Sequence, residues 1–445
     1  MSELPEGWAH ACISDLADIN PKQDFDDHLP AGFVPMSHAP TNFRDKLRFD
    51  ERNWGEIKKA YTTFKDGDVI FAKVTPCFEN GKAALVEGLP NGIGAGSSEF
   101  FVLRPSSEGV SAKYLLALIK SREFMLEGAA NMTGAVGLRR VPRQFVGGFA
   151  LPVPPAAEQT RIAQKLDELL AQVDTLKARI DAIPTLLKRF RQSVLATAVS
   201  GRLTEAWRAQ SGQPNEISNC KLETIARFID YRGKTPTKVE SGIPLITAKN
   251  IRKGYISREP REYIRPEDYD SWMTRGIPNV GDVLITTEAP LGNVATIDIH
   301  EKFALAQRAI CLQFTEEINS KFAAIELQSP QFQEKLLEKA TGTTVKGIKA
   351  SVLKKMDIAC PSLAEQTEIV RRVEQLFAFA DQLEAKVASA KSRIDHLTQS
   401  ILAKAFRGEL VPQDPNDEPA SVLLERIQAQ RAATPKAKRG RKASV

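Results

Sequence analysis

A long segment occurs twice in this chain, and that repeat limits the possible folds more than any other feature. Residues 157–203 begin AEQTRIAQKLDELL and end QSVLATAVSGRL; residues 364–410 begin AEQTEIVRRVEQLF and end QSILAKAFRGEL. The two align without a gap at a constant offset of 207 residues. Chance does not give identical ends around an ungapped middle, so the chain is a duplicated unit.

Both copies have helical periodicity. Ile162, Leu166, Leu169, Val173, Leu176 and Ile180 in the first, and Ile369, Val373, Leu376, Ala380, Leu383, Val387, Ala390 and Ile394 in the second, recur three and four residues apart. This spacing predicts a coiled-coil seam over about four heptads. Gly201 and Gly408 are the expected helix stops. Pro184 is expected to kink or interrupt the first copy. Each seam needs an apolar partner. That partner is either the globular domain beside the helix or the other helix. Mutual, antiparallel pairing is preferred, because the chain between the copies is long enough to turn round.

The repeat extends upstream. The turn Gly67-Asp68 before Val69-Ile70 matches Gly281-Asp282 before Val283-Leu284, and both should feed strands. Ser121 to Phe124 matches Ser329 to Phe332. Thr133-Gly134 with Gly137-Leu138 is paired with Thr341-Gly342 and Gly347-Ile348. The expected fold is α/β: two globular domains separated by long helices that form an antiparallel coiled coil, with pseudo-twofold symmetry. The expected divisions are a first domain at 1–150, a helical spacer at 151–207, a second domain at 208–358, a second spacer at 359–411, and a linker with a basic, partly disordered tail at 412–445. A short helix is expected within 420–431.

The 445-residue chain carries a net charge of +6, but Lys436, Lys438, Arg439, Arg441 and Lys442 supply five of these charges. A nearly neutral body argues against strong sequence-blind binding to nucleic acid. The five cysteines are scattered, and no signal peptide or membrane span is evident, so a reduced cytoplasmic setting is expected. The five histidines never cluster, and no phosphate-binding GxxxxGK[ST] loop occurs. The glycine-rich stretch Gly88–Gly96 reads as a flexible loop. No Asn-Pro-Pro-Tyr-like motif is present to hold a flipped adenine. The sequence therefore offers no catalytic, cofactor or metal residues.

The arrangement resembles the specificity subunit of type I restriction-modification systems. The resemblance covers residues 1 to about 411. It rests on Leu151-Pro152-Val153-Pro154-Pro155 with Ala157-Glu158-Gln159, on Ala364-Glu365-Gln366, and on the helix ends from Gln192 and Gln399. In the second domain it also rests on Arg232-Gly233-Lys234-Thr235-Pro236, Ile243-Pro244-Leu245-Ile246 and Pro290-Leu291-Gly292-Asn293. The first domain has no Arg-Gly-Lys-Thr-Pro segment, which implies a different class of recognition domain.

The resemblance implies a non-catalytic reader of a split double-stranded DNA target, with two modification subunits and the motor-nuclease restriction subunits as partners. It also implies adenine N6 methylation and ATP-driven cleavage performed outside this chain, with S-adenosylmethionine, ATP and Mg used by the complex. Base edges and phosphates are read by Arg, Lys, Asn and Gln. The candidates are Asn42, Arg44, Lys46, Lys58, Lys59 and Lys73 in the first domain, and Arg232, Lys234, Thr235, Lys249, Asn250, Arg252, Lys253, Gln307 and Arg308 in the second. Two other readings remain open: a coiled-coil scaffold that assembles enzymes without reading sequence, and an autonomous methyltransferase or nuclease.

Overall fold

The computed structural model describes residues 4–212, 217–232, 235–306 and 308–433. The chain divides into two compact units, Met1–Asp181 with Ser389–Val445, and Ala182–Ala388.

The first unit holds two four-stranded sheets. One runs Ala17–Ile19, Phe100–Pro105, Val69–Ala72, Ala83–Leu85; the other runs Asp50–Asn53, Pro30–Val34, Ile93–Gly96, Thr62–Lys65. The second unit repeats this order with Ala226–Asp230, Ala309–Phe314, Val283–Thr287, Leu291–Thr296, and a shorter sheet of Tyr263–Ile264, Ile243–Ile246, Ala304–Leu305. In each unit the second sheet contains one parallel pair, Pro30–Val34 with Ile93–Gly96 and Ile243–Ile246 with Ala304–Leu305. The chain is thus α/β, with two similar domains.

Local chemistry explains the matched elements. Gly67 and Gly281 sit at φ +88° and +94°, a region open to glycine. The next residue caps the turn in both copies: Asp68 Oδ2 accepts from the Lys65 amide and Asp282 Oδ2 from the Asn279 amide, each at 2.8 Å. Ser121 and Ser329 cap helices Arg122–Ala130 and Pro330–Lys339 by accepting from the Phe124 and Phe332 amides. Phe124 and Phe332 are buried.

Antiparallel strand pairs, Ala9–Cys12 with Ala150–Val153 and Ser218–Lys221 with Asp357–Cys360, join the two ends of each domain. A helix of 44 residues follows each pair, Ala156–Val199 and Leu363–Phe406, which makes each about 65 Å long. The helices stop before Gly201 and Gly408, which lie at φ +73° and +71°.

The Ala-Glu-Gln-Thr repeat has a structural explanation. Gln159 Oε1 accepts from the Ser111 amide while its Nε2 donates to Pro154 O; Gln366 Oε1 accepts from the Asn319 amide while its Nε2 donates to Pro361 O. Each buried glutamine therefore locks the proline-bearing link and a helix-capping loop to the base of the long helix. Thr160 and Thr367 donate to carbonyls one turn back. The glutamates keep the position but change the partner. Glu158 Oε2 accepts from Trp8 Nε1 at 2.9 Å, whereas Glu365 Oε1 takes Thr204 Oγ1 at 2.6 Å and a buried ion pair from Arg208.

Several expectations are corrected. Pro184 does not interrupt its helix, which runs unbroken through it. Leu176 is 44% exposed and lies outside the apolar seam, while Leu170, omitted from the expected stripe, is buried. The physical reason is that charged residues do the pairing in that stretch. Lys177 meets Asp395 at 3.7 Å and Asp181 meets Lys391 at 2.7 Å. Leu169, Ile180, Leu376, Leu383 and Val387 are half-buried. Ile162, Leu166, Leu170 and Val173 share one core with Ile394, Ile401 and Leu402 and with Tyr114 of the first domain. In the second unit, Ile369 and Val373 share a core with Val194, Leu195 and Ala198 and with Phe322. The seams therefore pack both on a helix and on the adjoining domain.

The short helix expected within 420–431 is present as part of Ala420–Ala433. Helix Ala420–Ala433 buries Leu423 and Ile427 in the core of the first unit. Arg431 donates to Ser106 Oγ at 2.6 Å, and Asp417 pairs with Arg161 at 2.6 Å. The basic tail from 434 lies outside the described residues.

Candidate nucleic-acid interface

The candidates of the first unit fall on three elements. Asn42 and Arg44 belong to the loop after Pro40; Asn42 Nδ2 donates to Asp45 at 2.8 Å, and Arg44 pairs with Asp174 of the long helix at 3.1 Å. Lys46 is exposed on the same loop. Buried Lys120 fixes this loop by donating to Thr41 O at 2.8 Å and Gly81 O at 2.9 Å. Burial pushes its ammonium down to about 7, and the nearby Asp45 opposes the shift. Lys58 follows the short helix Trp54–Ile57 and pairs with Asp24 and Asp27, which raise its pKa, while Lys59 is exposed. Lys73 donates to Ser98 O and lies 5.6 Å from the Phe101 ring centre.

The second unit brings more of its candidates together. Arg232 is clamped by Asp230, with Nη2 to Oδ2 at 2.6 Å, and also reaches Ile348 O at 3.3 Å. Burial raises the pKa of Asp230, but Arg232 outweighs this and holds the carboxyl below its usual range. Arg308, at φ +70°, pairs with Glu288 at 3.1 Å. Arg232 and Arg308 line a surface cavity of about 370 Å³ with Thr341 and Lys349. Arg308 also borders a neighbouring cavity of about 240 Å³ with Thr235 and Lys249. Arg252 and Lys253 are exposed on a separate turn.

Asn250 is a correction. It is 1% exposed. Its Oδ1 accepts from Thr247, and its Nδ2 donates to Ser257 O and Pro260 O. With both ends of its amide satisfied inside the loop, it shapes that loop and has no free edge to offer a base. Lys234 and Gln307 lie outside the described residues. Among the described residues no His, Cys, Asp and Glu group could hold a metal ion, and no helix is long and apolar enough to cross a membrane.

A family model, the type I restriction modification DNA specificity domain, matches residues 5–185 and 230–390. The chain belongs to this family. It is a type I specificity subunit, the non-catalytic, DNA-recognising member of such a system. The EcoKI specificity subunit of Escherichia coli K12 is 30% identical over 99% of both chains, and the EcoBI specificity subunit of Escherichia coli is 38% identical over 70% of both. The fold of this specificity subunit is that of the HsdS subunit from Thermoanaerobacter tengcongensis, with TM-score 0.64, 21% identity, and coverage of 92% of this chain and 98% of that one.

Reading charged loops from the sequence missed the Thr-Gly segments, although the repeat had marked them. They are β-hairpins. Thr133–Ala135 pairs with Leu138–Arg140, and Thr341 bridges Gly347. The strands that support them also correct the register of the repeat. Val141 donates to Lys73 O and Ile348 to Thr287 O, and Lys73 and Thr287 lie at matching distances from the Gly-Asp turns. Arg140-Val141, and not Gly137-Leu138, is therefore the counterpart of Gly347-Ile348. Val141 and Ile348 are both buried, whereas Leu138 is exposed.

Proposed function

We propose that this specificity subunit reads a split duplex target, one short half with each recognition domain, in a complex with two modification subunits and the restriction subunits. In this reading residues 1–150 and 208–358 are the readers, and 151–207 and 359–411 are helical spacers. The complex methylates adenine N6 with S-adenosylmethionine and cleaves with ATP and Mg, in the cytoplasm. The duplicated framework carries the proposal: the same turns, caps and glutamine locks recur in both units, while the polar loops between them do not match.

The helices are taken to run antiparallel and to set the spacer of the target. The ion pairs support this within each unit. Lys177 meets Asp395 and Asp181 meets Lys391 in the first; Arg191 meets Asp381 and Glu384 in the second. In such pairs a higher number on one helix meets a lower number on the other.

The test is domain exchange. Replacing roughly residues 8–150 with the equivalent segment of another specificity subunit should change one half of the methylated target and leave the other intact. Replacing roughly 217–358 should change the opposite half. Methylation mapping in cells carrying the whole system reads the result. An exchange that altered both halves would refute independent reading, and methylation without a split motif would favour a scaffold.

A further inference from the structure

The two hairpins are alike where the recognition loops are not. In both, the glycine after the threonine has positive φ, +123° at Gly134 and +108° at Gly342. In both, a side chain there would strike a carbonyl on the opposite arm: a Cβ on Gly134 would lie 2.7 Å from Leu138 O, and one on Gly342 2.2 Å from Val345 O. Each hairpin is tied to the end of the same strand of its domain. Thr75 and Arg139 exchange two bonds at 3.0 Å, and Glu288 bridges Gly347. The turn of the first holds out Val136, which is 102% exposed, and the returning arm of the second carries Val345, which is 53% exposed.

Holding valine in water on a braced tip opposes the hydrophobic effect, so a partner that covers it supplies the missing stabilisation. The surroundings indicate which partner. Arg139 and Arg140 flank the first tip, paired at the surface with Glu79 and Glu99. Exposed Lys346 and Lys349 flank the second, and Lys349 shares a cavity with Arg232 and Arg308. An exposed single-contact ion pair is weak, so a phosphate can compete for Arg139, whereas Arg140 is held in a fork by Glu99. An apolar tip set among cations fits the sugar-phosphate wall of a duplex, with the valine against sugars and the cations on phosphates.

We infer that hairpins Thr133–Arg140 and Thr341–Gly347 are DNA-docking fingers that grip the duplex backbone in a sequence-independent way, leaving base choice to the unmatched loops. The inference rests on the proposed reading that both domains engage duplex DNA. The two domains differ in what they read, so a device that they share performs the task common to both.

The experiment uses the assembled complex with duplexes carrying the mapped target or a scrambled sequence of equal length. Val136→Ser and Val345→Ser should each weaken binding to both duplexes by the same factor, about tenfold for one central contact, and leave the methylated sequence unchanged. Lys346→Gln with Lys349→Gln should reduce the salt slope of binding by about two, one for each phosphate contact. Unchanged affinity would overturn the inference, and so would a changed methylated sequence, which would make the fingers base readers. Loss of a partner subunit with DNA affinity retained would also overturn it, because the tips would then face protein. If no split target is found for the unmodified complex, the proposed function fails, while binding to the scrambled duplex still tests the fingers.

Discussion

Glu158 and Glu365 occupy the same place at the base of the two long helices, yet one accepts a tryptophan N–H and the other a buried arginine with a threonine hydroxyl. The neighbouring Gln159 and Gln366 share one accepted amide and one donated bond in both units, and Gln366 adds a bond to Glu317 O. After duplication, the bonds that shape the backbone stayed the same, whereas a side chain whose partner comes from a more distant segment changed with that segment. The recognition loops show the same divergence. Lys120 organises one through backbone carbonyls, and Asn250 the other through a closed set of amide bonds.

The glutamates should break the comparison most visibly. Glu365→Ala leaves Arg208 buried without its counter-ion and should cost about 3–5 kcal/mol. Glu158→Ala removes one neutral donor's partner and should cost about 1–2 kcal/mol. Denaturant unfolding of the full chain measures both, and equal losses would mean that the change of partner has no energetic consequence.

A second asymmetry lies in Glu326, which is buried with its carboxylate accepting from the Ala359 amide at 2.8 Å. At the matching place in the first unit stands the buried, apolar Leu118. Burial raises Glu326 from 4.5 to about 7. A carboxyl whose folded pKa is raised favours folding most below its unfolded pKa, and that contribution is lost as pH rises through the folded value. Stability should therefore fall between about pH 4.5 and pH 7, by on the order of 3 kcal/mol at most. Glu326→Gln should flatten that part of the melting profile. An unchanged slope would assign it to other groups.

The glutamines sharpen the likeness. Gln159→Ala and Gln366→Ala each strand a buried backbone amide and carbonyl, so each should cost about 1–3 kcal/mol, and by similar amounts. Clearly unequal losses would show that the shared geometry does not carry a shared load.

The Gly-Asp turns and Ser-x-x-Phe caps were legible in the sequence because their bonds close within a few residues of the motif. The Ala-Glu-Gln-Thr helix base was visible only as a repeat, because its glutamine and glutamate bonds reach distant segments. Leu176 and Leu170 were misplaced because periodicity marks an apolar stripe without saying where ion pairs replace it. Asn250 looked like a reader because its residue type suits both a base edge and a loop carbonyl, and burial alone separates the two. The docking hairpins carry their signal in glycine and valine, which a search for charge passes over. The closure of the C-terminal helix onto the first unit depends on contacts such as Arg431 with Ser106, hundreds of residues apart in sequence.

The most direct test of the central claim is to lengthen both helices at opposed sites. The pairing of Asp181 with Lys391 places an insertion after Asp181 opposite one after Ala390. Seven residues in each preserve the heptad and add about 10 Å, which corresponds to about three base pairs of duplex. Those base pairs also turn one half-site about the DNA axis by roughly 100°, and absorbing that turn costs energy. Methylation mapping of the double-insertion protein should show both half-sites unchanged, a longer spacer and weaker methylation. An active double-insertion protein that kept the original spacer would contradict the account, because the gap would then be set by the recognition domains and not by the helices.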